Sequence, residues 1–576
     1  MPDSGSATMA SHSSAATLTL GMSRCAAARW RLVPRRWRVR RSAAGCQRPR
    51  SSWVVVPTRL SESTGPPYWW EGDRNLVAER LPSVTYDGAW NMAAAQARPN
   101  ILLITADQMR HDCLSVGGHP VVRTPHLDAL AGRGVRFTNA YTPYPVCAPA
   151  RMSILSGQFA HAHGVMGNQG MLAPGQPTIA SLVHAAGYRT AAIGKMHFWP
   201  PYADVGFEHM RLAEQNGSGW KVDDYHSAYL AEHGLRDAWD LWDQQQPYRD
   251  QAPPEYWETF GARASVLPEE HYNTTWIADE TIAWLRLSDS RPFFAWTSFI
   301  KPHHPFDPPH PWDALYAPAA IPPLGDPADA LAKPLMTAGG RRDPRRGYFD
   351  LRNLSQQAFS RIAALYYATI SHIDHHVGRM LNALHELGQL ENTLVIFTSD
   401  HGDYMGDYGL ILKTPSVPYD ALARVPLLIS GPGFRQGATS EVLTSLVDLL
   451  PTVAAQAGAP LPKFIQGCDL QPLLTAAASS APVHRRSAVF SETHEIKAVR
   501  TDQHKYLYHR RLGIEELYDL AADPGERRNL ATEPASAPLR ADMSHRLLDW
   551  MIETEWERQA HSGRYRDLVD RGWIRV

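Results

Sequence analysis

The 576-residue chain has little cysteine, no long apolar run and no surplus of charge. Its five cysteines, Cys25, Cys46, Cys113, Cys147 and Cys468, are odd in number and widely spaced. That spacing excludes a disulfide framework. No apolar run approaches the roughly 20 residues that span a bilayer, so no membrane span is expected. With 57 basic and 58 acidic residues the net charge is −1, which argues against nucleic acid as a partner. A secretory signal is also lacking, because the apolar stretch 15–22 is weak and the arginine cluster follows it rather than precedes it. A cytoplasmic location is the expectation. An organelle transit segment, a basic tail that touches nucleic acid or membrane, and a disordered leader translated from a start codon set too far upstream are the competing readings of residues 1–91.

The near-zero total hides an asymmetry. Residues 1–50 hold ten Arg and one acid, and residues 51–91 add three Arg and five acids, so the head carries +7 and the rest −8. The head is rich in Ser, Ala and Arg and lacks apolar periodicity, which is the pattern of a leader without a packed core. Three segments are expected: a basic low-complexity leader over 1–95, an α/β domain over 96–480 and a small α+β domain over 481–576.

Asn100–Ala106 is a short apolar run ending in Asp107-Gln108, and Thr393–Ser399 repeats the design before Asp400-His401-Gly402. Both read as buried parallel strands. Further strands are expected at 189–194, 293–299 and 425–430, with helices at 125–133, 178–186, 357–387 and 444–457. This alternation predicts a large, mostly parallel sheet sandwiched by helices, with ligands gathering beyond the carboxyl ends of its strands. After 481, strands at 487–491, 497–501 and 504–509 and a helix near 537–553 predict a smaller antiparallel sheet with a helix. The long helix carries His372, Asp374, His375 and His376, which superficially resemble metal ligands. The reading preferred for them is a polar helix face with local hydrogen bonds.

Residues 147–151 read Cys-Ala-Pro-Ala-Arg. Pro149 suits the first turn of a helix. Cys147 then sits at a helix N-terminus, which favours an anion, and Arg151 adds a fixed charge one turn on.

At this point the chain resembles the sulfatase family of the alkaline-phosphatase superfamily, whose signature is Cys-x-Pro-x-Arg. Other matches follow in the family's order: Asp107-Gln108, Thr124-Pro125-His126-Leu127-Asp128, Gly134–Ala140, His163-Gly164, Gly194-Lys195-Met196-His197, Lys301-Pro302-His303-His304-Pro305, Ser399-Asp400-His401-Gly402, Lys413, and Glu516–Leu520 with Asp523-Pro524 and Asn529-Leu530. They cover about 97–535.

The resemblance implies a sulfuric ester hydrolase whose nucleophile is formylglycine made from Cys147 by a formylglycine-generating enzyme. It implies one divalent metal held by Asp107, Gln108, Asp400, His401 and the modified residue 147. Ca²⁺ is favoured for an oxygen-rich set. His401 and Gln108 stand where many relatives have Asn and Asp, which lowers the ligand charge and keeps Mg²⁺ and Mn²⁺ as alternatives. Catalytic roles are implied for Cys147, Arg151, Lys195, His197, His303 and Lys413. Arg151 and Lys195 would hold the nucleophile, His303 and Lys413 would serve the leaving oxygen, and His197 would take a proton as sulfate leaves. His303 is preferred to His304 because Pro-His is the family's pairing. Asn168 and His163 are expected either to line the substrate pocket or to stabilise their turn. The substrate class implied is a sugar or aryl sulfate ester.

Two alternatives stay open. The phosphonate monoester or phosphodiester hydrolase branch shares Asp-Gln, the Ala before the motif's Arg, and Asp-His, but typically lacks the Lys195/His197 pair. An unmodified Cys147 would instead leave an inactive binding protein on this fold. Residues 200–290 match no motif and include Trp220, Asp223, Asp224, Tyr225, Trp239, Trp242 and Trp257, a pocket rim or a small satellite core. His509, Arg510 and Arg511 could reach substrate, and a solvated strand end is the preferred reading.

Overall fold

A computed structural model describes residues 98–214, 224–235, 253–338, 343–475 and 486–561, with side chains described to 555. The expected leader over 1–95, the expected boundary near 480, and Trp220, Asp223, Trp239 and Trp242 lie outside the described residues.

The large sheet is built from β1 (Asn100–Asp107), β2 (Val135–Tyr141), β3 (Arg189–Gly194), β4 (His209–Leu212), β5 (Phe293–Pro302), β6 (Thr393–Ser399), β7 (Arg424–Ser430), β8 (Ala438–Ser440) and β9 (Thr444–Ser445). Its order is β4-β3-β5-β1-β6-β7-β2-β8, with β9 also on β2. Strand β1 pairs in parallel with β5 (Ile101 opposite Phe294) and with β6 (Asn100 opposite Thr393). Only β7 runs against its neighbours β6 and β2. The sheet is therefore mixed and mostly parallel.

Alternation along β1 divides the core into two layers. Leu102 and Ile104 face one layer with Ile277 and Ile282 of the Asn273–Leu285 helix and Ile362, Ile370 and Ile373 of the Gln356–Glu386 helix. Ile101 and Leu103 face the other, with Met152, Ile154, Ile179, Val183, Leu449 and Val453. Both faces are covered, as the continuous apolar strands require.

The expected helix over 444–457 begins later. Thr444–Ser445 pairs with β2, Leu446–Asp448 is a 3₁₀ turn, and the α-helix spans Leu449–Ala457. Asp448 accepts from the Ser445 N–H (2.8 Å) and so closes that turn before the helix starts.

The smaller sheet contains β10 (Val489–Glu492), β11 (Ile496–Arg500), β12 (His504–His509) and β13 (Ile514–Asp519), antiparallel and in chain order. Val499, Tyr506 and Leu517 pack on Met543, Leu547 and Trp550 of the Ala537–His561 helix, together with Phe159 and Val447. Glu492 joins this sheet to the segment after the Cys147 helix. Its Oε1 accepts from the His161 N–H (2.9 Å), and its other oxygen pairs with Lys497. Among the described residues no helix is long and apolar enough to cross a membrane.

Candidate active site

The ends of β1, β3, β5 and β6 and one helix start meet at a single buried point. The helix Cys147–Ser156 begins on Cys147 after an extended Val146 (φ −148°, ψ 142°). Pro149 lies in its first turn, where a missing N–H costs nothing. Cys147 Sγ lies 3.1 Å from Lys413 Nζ, 3.2 Å from His401 Nε2 and 3.5 Å from Asp107 Oδ1. His197 and His303 lie beside this side chain and act on its charge.

Two glycines permit the close approaches. A Cβ on Gly194 (φ +94°) would lie 2.0 Å from the Ser298 carbonyl oxygen, and one on Gly402 would lie 2.0 Å from that of Ala421. Larger residues would therefore push Lys195 and His401 out of place.

Arg151 and Lys195 act first on the carboxylates. Arg151 is fully buried. It donates from Nε to Asp400 Oδ2 (2.8 Å) and from Nη1 to Ser298 Oγ (2.7 Å) and the Lys195 carbonyl (2.5 Å). Its Nη2 makes no hydrogen bond and lies 3.6 Å from Asp107 Oδ2. Lys195 Nζ pairs with Asp107 Oδ2. Buried charges persist only when paired in this way. Lys413, half-buried, bridges Gln108 Oε1 (2.6 Å) and Cys147 Sγ.

Two site residues hold left-handed backbone, Gln108 (φ 67°) and His197 (φ 58°). Each costs about 1–2 kcal/mol for a residue with a Cβ. Gln108 is held by its N–H on Asp400 Oδ1 (3.1 Å), its side chain on Asp403 Oδ2 (2.5 Å) and Tyr366 OH on its carbonyl (2.9 Å). The N–H groups of Met196 and His197 both donate to Glu214 Oε1 (2.9 and 2.8 Å). Backbone kept against its preference at a site is a mark of pre-organisation.

The electrostatics follow from these contacts. Burial alone would raise the Cys147 thiol, but Lys413, Lys195 and His401 outweigh it and hold it well below its usual value. Burial and the Asp107 charge push the Asp400 carboxyl up, against Arg151. Burial, with Lys413 and Lys195, lowers His303 to about 3. The His303 Nδ1–H donates to the His304 carbonyl (2.8 Å), which leaves the Nε2 lone pair for the site.

The donor set fits a divalent cation. Ligand atoms of Asp107, Cys147, Asp400 and His401 lie within 4.8 Å of one another, all buried. His401 Nδ1 donates to the Gly402 carbonyl (2.9 Å), which fixes the tautomer that presents the Nε2 lone pair. A cation here would relieve the repulsion between the two carboxylates.

The remaining expected residues lie as follows. The Asn168 side-chain oxygen accepts from the Ala148 N–H (3.2 Å), and His163 bridges Ser153 Oγ (2.9 Å) and the Val165 N–H (3.1 Å). His303 is carried on a loop tied by Lys301, whose ammonium donates to Asp307 Oδ1 (2.5 Å) and the Pro305 carbonyl (2.7 Å). Asp224 caps the Tyr225–Glu232 helix through the Ser227 N–H (2.7 Å), and Tyr225 lies under the Arg211 guanidinium at 3.9 Å. Trp257 packs among Tyr256, Tyr348 and Phe349. Arg510 and Arg511 pair with Glu495 at the surface, whereas His509, expected with them at a solvated end, is buried.

Sequence reasoning missed Ser298, Asp403 and Glu214. Ser298 is a hydroxyl within the apolar β5, and Asp403 stands three residues after Asp400, so both left a local trace. Glu214 left none.

Comparison with known proteins gives the family. Residues 99–459 match the Sulfatase family, and residues 406–553 match the C-terminal region of N-sulphoglucosamine sulphohydrolase. The chain belongs to the sulfatase family. It is 33% identical over 467 residues to an arylsulfatase of Clostridium perfringens, covering 75% of this chain and 90% of that one. It is 31% identical over 494 residues to a choline-sulfatase of Rhizobium meliloti, covering 83% and 90%. The phosphonate monoester hydrolase of Agrobacterium radiobacter superposes with a TM-score of 0.66 at 27% identity, covering 79% of this chain and 96% of that one. This sulfatase-family chain is thus an enzyme of the sulfatase or related hydrolase type.

Proposed function

We propose that the protein is a sulfuric ester hydrolase that cleaves a sulfate monoester of an aryl or sugar alcohol, with formylglycine made from Cys147 and one divalent metal. The observation that carries this reading is the convergence of Lys413, His401 and Asp107 within 3.1–3.5 Å of Cys147 Sγ at a helix start. The thiol occupies the place of the hydrated aldehyde, which supplies the attacking oxygen when formed. Asp107, Asp400, His401, the Gln108 amide oxygen and residue 147 would hold the metal, which supplies charge to polarise the sulfate oxygens. Ca²⁺ suits the oxygen donors best, with Mg²⁺ and Mn²⁺ as alternatives.

The chain's own residues perform the rest. Arg151 fixes Asp400 through Nε and keeps Nη2 for an oxygen at the site. Lys195 holds Asp107. Lys413, the half-exposed cation, meets the anion first and offers a proton to the departing alcohol oxygen. His303, neutral near pH 7 with its Nε2 lone pair facing inward, accepts a hydrogen bond from the alcohol once Lys413 has protonated it. His197, on its Glu214-braced turn, takes the proton whose removal releases sulfate. Asn168 holds the first turn of the Cys147 helix, and His163 its second.

A second reading, a phosphonate monoester hydrolase, is supported by the superposition on the Agrobacterium enzyme. The Lys195/His197 pair supports the sulfate reading. Turnover of an aryl sulfate against an aryl phosphonate, on protein carrying formylglycine, tests the choice. A higher kcat/KM for the sulfate is expected, and the reverse order would select the phosphorus reading.

A further inference from the structure

We propose that Glu269, His372 and His376 form a second metal site that takes Zn²⁺, separate from the Cys147 centre. Among the described residues this is the one other grouping of His and acid side chains whose ligand atoms lie within 4.8 Å of one another. His372 and His376 stand four residues apart on one face of the Gln356–Glu386 helix, the spacing that aims two imidazoles at one point. Glu269 reaches them from the 3₁₀ turn Glu269–His271.

The distances suit a shared ion. His372 Nε2 lies 2.9 Å from His376 Nε2 and 3.5 Å from Glu269 Oε1. Ligands about 2.0–2.1 Å from a tetrahedral Zn²⁺ lie roughly 3.4 Å apart, so small shifts complete the set. Both histidines are buried and Glu269 is half-buried, which leaves a way in for the ion. Thr275 Oγ1 is 3.2 Å from His376 Nε2 and 3.5 Å from His372 Nε2, beside the remaining position. The Trp312 indole N–H donates to Glu269 Oε1 (2.9 Å) and orients the carboxylate. Two imidazoles and a carboxylate are a borderline donor set that favours Zn²⁺ over Ca²⁺.

Two contacts must change: the His372–His376 hydrogen bond, since both Nε2 lone pairs would turn to the ion, and the one from Arg379. Arg379 Nη1 lies 3.0 Å from His376 Nδ1, and ligation through Nε2 places a proton on that nitrogen. Arg379 is 39% exposed and already bonded to Asp279 (2.8 Å), so it has somewhere to go. The site would brace the turn that carries Tyr272, whose hydroxyl donates to Asp307 (3.0 Å), the partner of Lys301 in the His303 loop.

The test loads chelator-stripped full-length protein with Zn²⁺ alone and counts equivalents per chain, for the wild type, His376→Ala and Glu269→Gln. Parallel loading of protein that keeps the Cys147 thiol with Co²⁺ reports thiolate ligation at Cys147 by its charge-transfer band, which a His₂Glu site lacks. The wild type is expected to hold one more Zn²⁺ than His376→Ala, and Glu269→Gln to bind it at least about tenfold more weakly. Equal zinc affinity of wild type and Glu269→Gln, read by titration against a competing chelator, would overturn the proposal, even if His376→Ala fails to fold. So would a wild type whose only bound Co²⁺ carries the thiolate band.

Discussion

Replacing Arg151 by lysine separates position from charge. The guanidinium makes three charge-assisted bonds, one to the Asp400 carboxylate and two to uncharged acceptors, Ser298 Oγ and the Lys195 carbonyl. An ammonium keeps the charge but lacks the planar fork, and reaches about one of the three. Losing two such bonds, at about 1.5 kcal/mol each, amounts to about 3 kcal/mol. Carried wholly by the transition state, that lowers kcat/KM about 10²-fold. Arg151→Ala goes further, because it strands Asp400 and weakens the hold on Asp107, and should cost about 3–5 kcal/mol of folding stability. Steady-state turnover of an aryl sulfate, metal content per chain and a denaturant titration together locate the loss. An Arg151→Lys enzyme within about threefold of wild type in kcat/KM and equal in stability would refute the positional role of the fork.

Three more outcomes are expected. His197→Ala should give about one equivalent of alcohol in a rapid burst and then turn over slowly, whereas proportional loss of both phases would assign it elsewhere. Chelation should abolish activity and Ca²⁺ should restore it, and undiminished turnover in excess chelator would exclude the metal's role. Glu492 is buried, and its pairs with His161 and Lys497 outweigh that burial to hold its carboxyl down to about 2. Its stabilisation is therefore complete above its unfolded pKa of about 4.3 and is lost as pH falls from there through the folded value. Thermal scans from pH 6 to 2 should show this loss, at most about 3 kcal/mol, and Glu492→Gln should flatten it; an unchanged slope in that variant would refute the assignment.

Strands β1, β5 and β6 were legible because strands buried on both faces read as continuous apolar runs. Strand β2 (Val135–Tyr141) was not, since Arg136, Thr138 and Asn139 break its apolar run. Strands β4, β8 and β9 are short and owe their existence to partners far away in the chain. At the candidate site, motif spacing marked the residues around Cys147, because β1 and β6 end in their acids. It left out the braces Glu214, Ser298 and Asp403, which act through single long-range hydrogen bonds. The histidines of the long helix read as a polar face because Glu269, a hundred residues away, is what gives His372 and His376 a common target. Asp374, between them, instead accepts from the Leu127 N–H (2.7 Å) and holds the start of the Pro125–Gly132 helix.

The central claim is that residue 147 is an aldehyde in the working enzyme. Mass spectrometry of the peptide spanning Cys147, from protein isolated from its native cell, tests it directly. Conversion of CH₂SH to CHO predicts a peptide about 18 Da lighter than the thiol form. An unaltered thiol in protein that still hydrolyses sulfate esters would contradict the account.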